Sequence, residues 1–186
     1  MTPTDALVSI VGAGPGAPDL LTRRAEERIR SADVLIWTDS LVSPEIAALA
    51  GPQCERIRSS MLTLEEVVPL MIERVRQGQR VVRLHDGDPC LYGALSEQIC
   101  ALADANIAAE VVPGLSAYQA TASALKAELT IPGLVQTIVL SRAGGRTEYR
   151  FRTAVNKDGR MTGIDADMTF DAGAYMELQS LVTYLT

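Results

Sequence analysis

The spacing of hydrophobic residues along the chain alternates between two patterns. Short apolar runs, such as residues 6–11 (ALVSIV) and 79–84 (QRVVRL), predict buried β-strands. Longer segments with apolar residues at helical spacing, such as residues 63–78 (TLEEVVPLMIERVRQG), lie between such runs. Because strands and helices alternate and the strands are apolar throughout, the pattern predicts an α/β fold, a mostly parallel sheet with helices on both faces.

The same pattern supplies the remaining elements and their ends. Further strands are predicted at 33–38, 54–59, 108–113 and 135–141, and further helices at 20–32, 44–50, 92–106 and 116–127. Ser43 before Pro44 predicts a helix start, and Thr63 with Glu66 fits a capping box. Pro69 conflicts with the helix that contains it, because proline has no N–H to donate.

The pattern changes after residue 147. Residues 148–186 read as short extended runs around NKDG, which predicts an antiparallel β-hairpin. The sequence therefore predicts two parts, an α/β domain over residues 1–147 and an unrelated β-rich segment over residues 148–186.

Three glycine-containing loops follow predicted strands, at residues 12–16, 86–93 and 113–116. Ligands of open parallel sheets bind beyond the carboxyl ends of the strands, so these loops are the candidate site. Each loop also has a purely structural interpretation, as a tight turn or a capped helix start.

The first loop, GAGPGA from Gly12 to Ala17, fits the dinucleotide fingerprint, with Asp39 as the ribose-binding acid. Pro15 and Pro18 argue against it, because they lack the N–H groups that a pyrophosphate needs. In the second loop, HDGDP, ionised Asp86 and Asp88 can only accept hydrogen bonds, which suits ribose hydroxyls or a cation rather than phosphate. A cationic ligand with a ribose and no phosphate, such as S-adenosylmethionine, fits that loop.

Composition narrows the class of protein. The net charge is −6 over 186 residues, which argues against a general nucleic-acid binder. No apolar run is long enough to predict a membrane span, and no signal peptide is predicted. The cysteines are few, odd in number and not in CxxC spacing, which predicts reduced thiols in a cytoplasmic protein. The chain has a single histidine, His85, and no clustered ligands, which argues against a metal site. His85 is interpreted as a loop residue that lines the site rather than as a catalyst.

Five segments in order, VGAGPGAPDLLT, ADVLIWTDSLVSPE, VVRLHDGDPCLYGALSEQ, EVVPGLSAYQATASAL and ELTIPGLVQTIVLSRAGGRT, resemble the tetrapyrrole methylases of cobalamin synthesis. The resemblance covers about residues 5–147 and is strongest to the members that methylate precorrin-4 or cobalt-precorrin-4 at carbon 11. It implies a homodimeric enzyme that holds S-adenosylmethionine in a cleft between two domains and acts on a tetrapyrrole.

The resemblance also implies roles for individual residues. Those matching the family's cofactor contacts are Pro15, Asp86, Gly87, Asp88, Leu91, Ser116 and Ala117. Asp39 occupies the place of an aspartate near the tetrapyrrole and is the candidate general base. Related members have a basic residue near the positions of Ser59 and Ser60, where this chain has none, so no proton donor is carried over.

Arg142 and Arg146 follow a predicted strand end and could bind the carboxylates of a macrocycle as bidentate partners. The alternative is that they are ordinary exposed surface arginines.

The resemblance to the methylases stops after GGRT. The family's second domain is expected to be missing here, so weak or absent activity is expected of this chain alone. Residues 148–186 instead resemble a stretch of the large subunit of molybdenum hydroxylases, in DGRMTGIDADMTFDAGAY. Two alternatives to a methyltransferase stay open, a dinucleotide-binding oxidoreductase domain and a non-catalytic domain that binds tetrapyrrole or dimerises.

Overall fold

The computed structural model describes residues 8–133, 136–138, 140, 149–155, 161–169 and 180–183. The chain divides into two units, residues 1–120 and 121–186. None of the described helices is both long enough and apolar enough to cross a lipid bilayer.

The first unit contains a five-stranded parallel sheet, as the hydrophobic pattern predicts. The strands follow the order β3-β2-β4-β1-β5, so β4 lies between β1 and β2. The strands are β1 (Val8–Gly12), β2 (Val34–Trp37), β3 (Glu55–Arg58), β4 (Val81–His85) and β5 (Ala109–Val112), and the helices are α1 (Arg23–Ser31), α2 (Pro44–Ala47), α3 (Leu64–Arg76), α4 (Leu95–Asp104) and α5 (Ala117–Ala124).

Each face of the sheet is covered by its own helices. On one face, α1 and α2 pack through Ile29 and Ile46 against strand residues that include Leu35 and Leu84. On the other face, α3 and α4 pack through Met71 and Leu102 against the alternate strand positions, Ile10 among them. The central strands β1, β2 and β4 are buried along their whole length, which explains their unbroken apolar runs.

Local signals fix the ends of the helices. Ser43 accepts a hydrogen bond from the Glu45 amide at 3.3 Å, and the Thr63 amide donates to Glu66 at 2.8 Å, so both predicted caps are confirmed. Pro69 is accommodated inside α3, where it is exposed. The predicted helix 20–32 begins later, at Arg23, because Thr22 caps it by accepting from the Ala25 amide at 3.2 Å.

In the part of the second unit that the structure describes, three strands pair in antiparallel fashion, β6 (Tyr149–Val155), β7 (Met161–Thr169) and β8 (Ser180–Thr183). The pairing of β6 with β7, Tyr149 opposite Met168, confirms the predicted antiparallel hairpin. Its NKDG turn lies outside the described residues. The strand predicted at 135–141 is wrong at its described positions, since residues 136–138 and 140 form no regular element.

Candidate functional site

The loops that follow β1 and β4 are joined by their main chains. The Ala13 amide donates to the His85 carbonyl at 2.7 Å. Gly14 and Gly87 then exchange two hydrogen bonds, at 3.1 and 2.8 Å, and form an isolated antiparallel bridge beyond the parallel strands. The two loops therefore form one continuous edge rather than two separate turns.

Three glycines bring the third loop, after β5, into the same junction. A Cβ atom placed on Gly12 would lie 2.6 Å from both the Gly87 carbonyl oxygen and the Gly114 amide nitrogen. A Cβ atom on Gly114 would overlap the same Gly87 oxygen. Since these contacts are between backbones, no side chain can move aside, and glycine is required at Gly12 and Gly114 for the loops to meet.

The side chain of Asp88 connects the second loop to the third by a hydrogen bond. Its Oδ2 atom accepts from the Gly114 amide at 3.0 Å, and its Oδ1 atom accepts from the Cys90 amide at 2.7 Å. Both oxygens are thus engaged by the protein, although each keeps a lone pair for a ligand. Asp88 is consequently a residue that builds the site, whatever further contact it makes.

Asp86 differs from Asp88 because its carboxylate is less fully engaged. It is partly buried, and within the described chain its only hydrogen-bond donor is its own amide. Burial raises the pKa of Asp86, while that amide and the charge of Arg83 act in the opposite direction. Asp86 is therefore the acidic side chain of this loop that has more acceptor capacity to offer a ligand.

Gln98 of α4 closes the end of the second loop. Its Nε2 atom donates to the carbonyls of Gly93 and Ala94 at 2.8 and 3.1 Å. Tyr92 and Ala94 have left-handed φ angles of 58° and 46°. Since left-handed residues interrupt a helix, α4 begins at Leu95 rather than at 92 as predicted.

His85 is the buried last residue of β4, so its predicted placement in the loop was wrong. Burial and the neighbouring charge of Arg83 lower the pKa of His85 to about 3, which keeps the ring neutral at physiological pH. Its Nε2 atom lies 3.3 Å from the Nε2 atom of Gln98, so the two buried side chains are within hydrogen-bond distance.

The other predicted cofactor residues lie on the same edge. Pro15 stands between Gly14 and Gly16, which have φ angles of 71° and 114°. The Leu91 amide donates to the Asp88 carbonyl at 3.0 Å. Ser116 is buried immediately before α5, where its amide donates to the Gln119 side chain at 3.2 Å, and Ala117 is the first residue of that helix.

Asp39 lies apart from these loops, in the connection after β2. Its Oδ1 atom accepts from the Ser60 amide at 3.0 Å, in the connection after β3. Burial would raise the pKa of Asp39, but hydrogen bonds from Ser60 and the charge of Arg58 lower it overall, so the carboxylate is ionised at neutral pH. Because β4 separates β2 from β1, two strand spacings, about 10 Å, separate the Asp39 connection from the first glycine loop.

This topology argues against the dinucleotide alternative. A dinucleotide fold places β2 directly beside β1, so that the acid after β2 reaches the ribose. Here β4 occupies that position. The helix after the first glycine loop also begins only at Arg23, well beyond Gly12, so its N-terminus does not open at the glycines as pyrophosphate binding needs.

Three residues that contribute to this edge were not predicted from the sequence: Thr22, Arg83 and Gln98. Of these, only Arg83 left a signal, as a charged residue inside the apolar run VVRL. Arg142 and Arg146 lie outside the described residues. Among the residues that the structure describes, no three His, Cys, Asp or Glu side chains are grouped to hold a metal ion.

The fold and the interlocked loops define an open α/β domain whose candidate ligand site lies at the carboxyl edge of its sheet. Residues 7–166 match the family model of the tetrapyrrole (corrin/porphyrin) methylases. The chain therefore belongs to the tetrapyrrole methylase family. Among its relatives is the cobalt-precorrin-4 C(11)-methyltransferase of Priestia megaterium, which is 46% identical over 138 residues, 74% of this chain and 54% of that protein.

Solved structures give the same family. A cobalt precorrin-4 methyltransferase, a cobalamin biosynthetic enzyme, superposes with a TM-score of 0.72 at 44% identity, over 75% of this chain and 59% of the other. A uroporphyrin-III C-methyl transferase from Thermus thermophilus, solved in complex with S-adenosyl homocysteine, superposes with a TM-score of 0.58 at 34% identity, over 70% and 52%. The chain thus spans about half the length of the relatives that it matches.

Proposed function

We propose that this chain provides the cofactor-binding edge of an S-adenosylmethionine-dependent methyltransferase of cobalamin biosynthesis. The proposed substrate is precorrin-4 or cobalt-precorrin-4, and the proposed site of methylation is carbon 11. The observation that carries the proposal is the close contact of three loops at Gly12, Gly87 and Gly114. A hydrogen bond from the Gly114 amide to Asp88 joins two of these loops. The names of the relatives support the choice of substrate.

The chemistry of the junction supports the choice of cofactor. Asp86 offers a carboxylate with free acceptor capacity, which suits a ribose hydroxyl or a cation. Pro15 lacks an N–H group, as does Pro89 directly after Asp88, so the loops are poor in phosphate donors. We assign Pro15, Asp86, Gly87, Asp88, Leu91, Ser116 and Ala117 as the residues that would hold S-adenosylmethionine.

When bound, that cofactor supplies a methyl group on a sulfonium, and the protein's task is to position the acceptor. Asp39 is placed on the far side of β4 from the first glycine loop, where an ionised carboxylate can orient the macrocycle or accept a proton. Holding two reactants in the attack geometry can itself lower a barrier by about 7–11 kcal/mol at best. Arg142 and Arg146 remain the predicted partners of the substrate's carboxylates.

Exposed apolar side chains on the same edge support a large, partly apolar substrate. In the described part of the first unit, the exposed large apolar side chains are Leu20, Leu41, Met61 and Tyr92. They lie in the connections that follow β1, β2, β3 and β4, one in each. A macrocycle with an apolar face and a carboxylate rim would cover such residues.

Calorimetric titration of the purified chain with S-adenosylmethionine tests the cofactor. We expect binding weaker than micromolar, because this chain provides one loop edge, and we expect Asp86→Asn to weaken it further while Asp19→Asn, at an exposed acid, does not. Micromolar binding would overturn the expectation of a weak half-site. Absence of any binding, at millimolar cofactor, would overturn the cofactor assignment.

Turnover is tested with a chimera that joins residues 1–147 to the corresponding C-terminal half of the Priestia megaterium relative. We expect methyl transfer to precorrin-4 or its cobalt form. If the chimera binds tetrapyrrole without transferring a methyl group, the non-catalytic alternative is the correct one.

We also propose that the protein is a cytoplasmic homodimer. Support for the compartment comes from Cys54, Cys90 and Cys100, which are all free thiols, two of them exposed. The homodimer follows from the resemblance to the family and is tested by sedimentation velocity, where a single species of monomer mass would refute it.

A further inference from the structure

Arg83 is a buried cation on the central strand β4. It is 8% exposed and stands opposite Ile36 of β2 and Ile10 of β1 in the sheet register. Its Nη1 atom donates to the Ser59 Oγ atom at 2.7 Å and lies 3.5 Å from the Ile36 carbonyl oxygen. The side chain therefore extends across β2 to Ser59, the residue directly after β3.

Ser59 is held on two sides. Its hydroxyl accepts from Arg83 and donates to the Trp37 carbonyl at 3.0 Å, and its amide donates to the same carbonyl at 2.9 Å. A hydroxyl has one hydrogen to donate, and this arrangement uses it while leaving the oxygen to accept from the guanidinium. Ser59 is 5% exposed, so water is poorly placed to replace either partner.

Ser60, the residue after Ser59, connects this hydrogen-bond network to the candidate site. The Ser60 amide donates to Asp39 at 3.0 Å, so the carboxylate is attached to the residue that directly follows Ser59. Arg83 is also close enough to Asp86, in the loop after β4, for the two charges to interact. The buried guanidinium of Arg83 is thus connected to both candidate acids. It interacts with Asp86 through its charge and with Asp39 through Ser59 and Ser60.

We propose that Arg83 is a positioning residue: by fixing Ser59 it holds the Ser60 amide, and through that amide it orients the carboxylate of Asp39. This rests on the proposed function only in the role given to Asp39. Burial lowers the pKa of Arg83 to about 10, which leaves it charged at neutral pH and able to donate charge-assisted hydrogen bonds.

The test reads the Ser60 amide directly, by recording ¹H–¹⁵N spectra of the full chain as a function of pH. An amide bonded to a carboxylate moves when that carboxylate titrates, and Asp39→Asn identifies this movement as due to Asp39. The charged and polar groups facing Asp39 are Ser60 and Arg58, so Arg58→Gln is recorded as well to identify the contribution of that charge.

We expect Arg83→Met to reduce the pH-dependent movement of the Ser60 amide by at least half, and Arg83→Lys to restore part of it. Arg80→Met is the matched control, because Arg80 precedes the same strand but pairs with Asp33 at the opposite edge of the sheet. It should leave the Ser60 amide unchanged. A folded Arg83→Met variant with a wild-type Ser60 titration would overturn the proposal.

If Arg83→Met does not fold, Ser59→Ala decides. It removes the hydroxyl that joins Arg83 to the Trp37 carbonyl, and it must show the same loss at Ser60 for the proposal to stand. The readout needs neither cofactor nor turnover. Failure of S-adenosylmethionine binding therefore counts against the proposed function alone, and an unchanged Ser60 amide counts against the role of Arg83 alone.

Discussion

Asp88 and Gly114 join two loops that are 26 residues apart in the chain, through a bond of 3.0 Å between the Asp88 Oδ2 atom and the Gly114 amide. The other oxygen of Asp88 accepts from the Cys90 amide at 2.7 Å. One carboxylate therefore fixes the shape of its own loop and the position of the next.

Asp88→Asn replaces one carboxylate oxygen with an NH₂ group, which cannot accept a hydrogen bond from a backbone amide. One of the two hydrogen bonds to the side chain is therefore lost. Hydrogen bonds to charged groups contribute about 1.5–3 kcal/mol each, and we expect the free energy of unfolding to fall by that amount. Urea denaturation measures it. Asp19→Asn, at an exposed acid of the first connection, is the control and should change stability by less than about 0.5 kcal/mol. Equal stability of Asp88→Asn and wild type would refute the role of Asp88 in joining the two loops.

Gly114→Ala should be among the most damaging single-methyl additions in the chain, because the new Cβ atom overlaps the Gly87 carbonyl oxygen. Overpacking costs about 1–3 kcal/mol when side chains can adjust, and here only backbone can, so we expect a loss of about 3 kcal/mol. Gly51→Ala is the matched control, since the nearest atom to its Cβ would be the Arg30 oxygen at 3.7 Å. Thermal unfolding of both variants provides the comparison, and a Gly114→Ala protein as stable as Gly51→Ala would contradict the close approach.

Glu110→Gln should remove stability in a pH-dependent way. Glu110 accepts from Ser9 at 2.7 Å and is paired with Arg28. Burial would raise the pKa of Glu110, but these partners lower it overall. The resulting stability is present above the unfolded-state pKa and is lost as pH falls through the folded-state value.

At pH 7 we therefore expect Glu110→Gln to lose about 1.5–3 kcal/mol, and we expect its stability to converge with that of wild type in acid. Glu26→Gln disrupts the exposed Glu26–Arg30 pair instead and should cost less than about 0.5 kcal/mol. Denaturant midpoints at pH 7 and pH 3 check both statements. A pH-independent loss would show that the charge of Glu110 is not the cause.

His85 should make wild-type stability decrease below about pH 6.5. Its pKa is lowered from 6.5 to about 3 in the folded protein. Between these two pH values the unfolded chain is protonated at His85 and the folded chain is not. That linkage costs about 1.4 kcal/mol per pH unit between the two values, or about 2 kcal/mol at pH 5. Comparing wild type with His85→Asn at pH 7 and pH 5 isolates the effect, since the other titrating groups are shared. An identical pH dependence of the two proteins, or a histidine resonance that titrates near pH 6.5, would contradict it.

The sequence predicted the layered fold because the information is local. Unbroken apolar runs such as VSIV and VLIW indicate strands covered on both faces, and helix caps such as Ser43 and Thr63 act within a few residues. The order of the strands was not available in this way. That β4 lies between β1 and β2 depends on long-range pairing, and this order is what separates Asp39 from the glycine loops.

The site was predicted in its residues but not in its construction. Asp86 and Asp88 look equivalent in HDGDP, yet only the meeting of two distant loops shows that Asp88 is engaged by Gly114. His85 looks like part of the loop, but the strand extends one residue further and buries it. The contributions of Arg83 and Gln98 depend on partners 24 and 5 residues away that no spacing rule identifies.

The backbone contact among Gly12, Gly87 and Gly114 has a consequence for how such a site can diversify. A clash between two side chains can be relieved by a compensating change in either one, but a clash between main chains has no such partner mutation. The paths of these three loops are thus coupled, and a change in one requires a change in the others. New ligand preference can arise only from the side chains mounted on them, such as Leu91 and Tyr92, or from the separately anchored connection that carries Asp39.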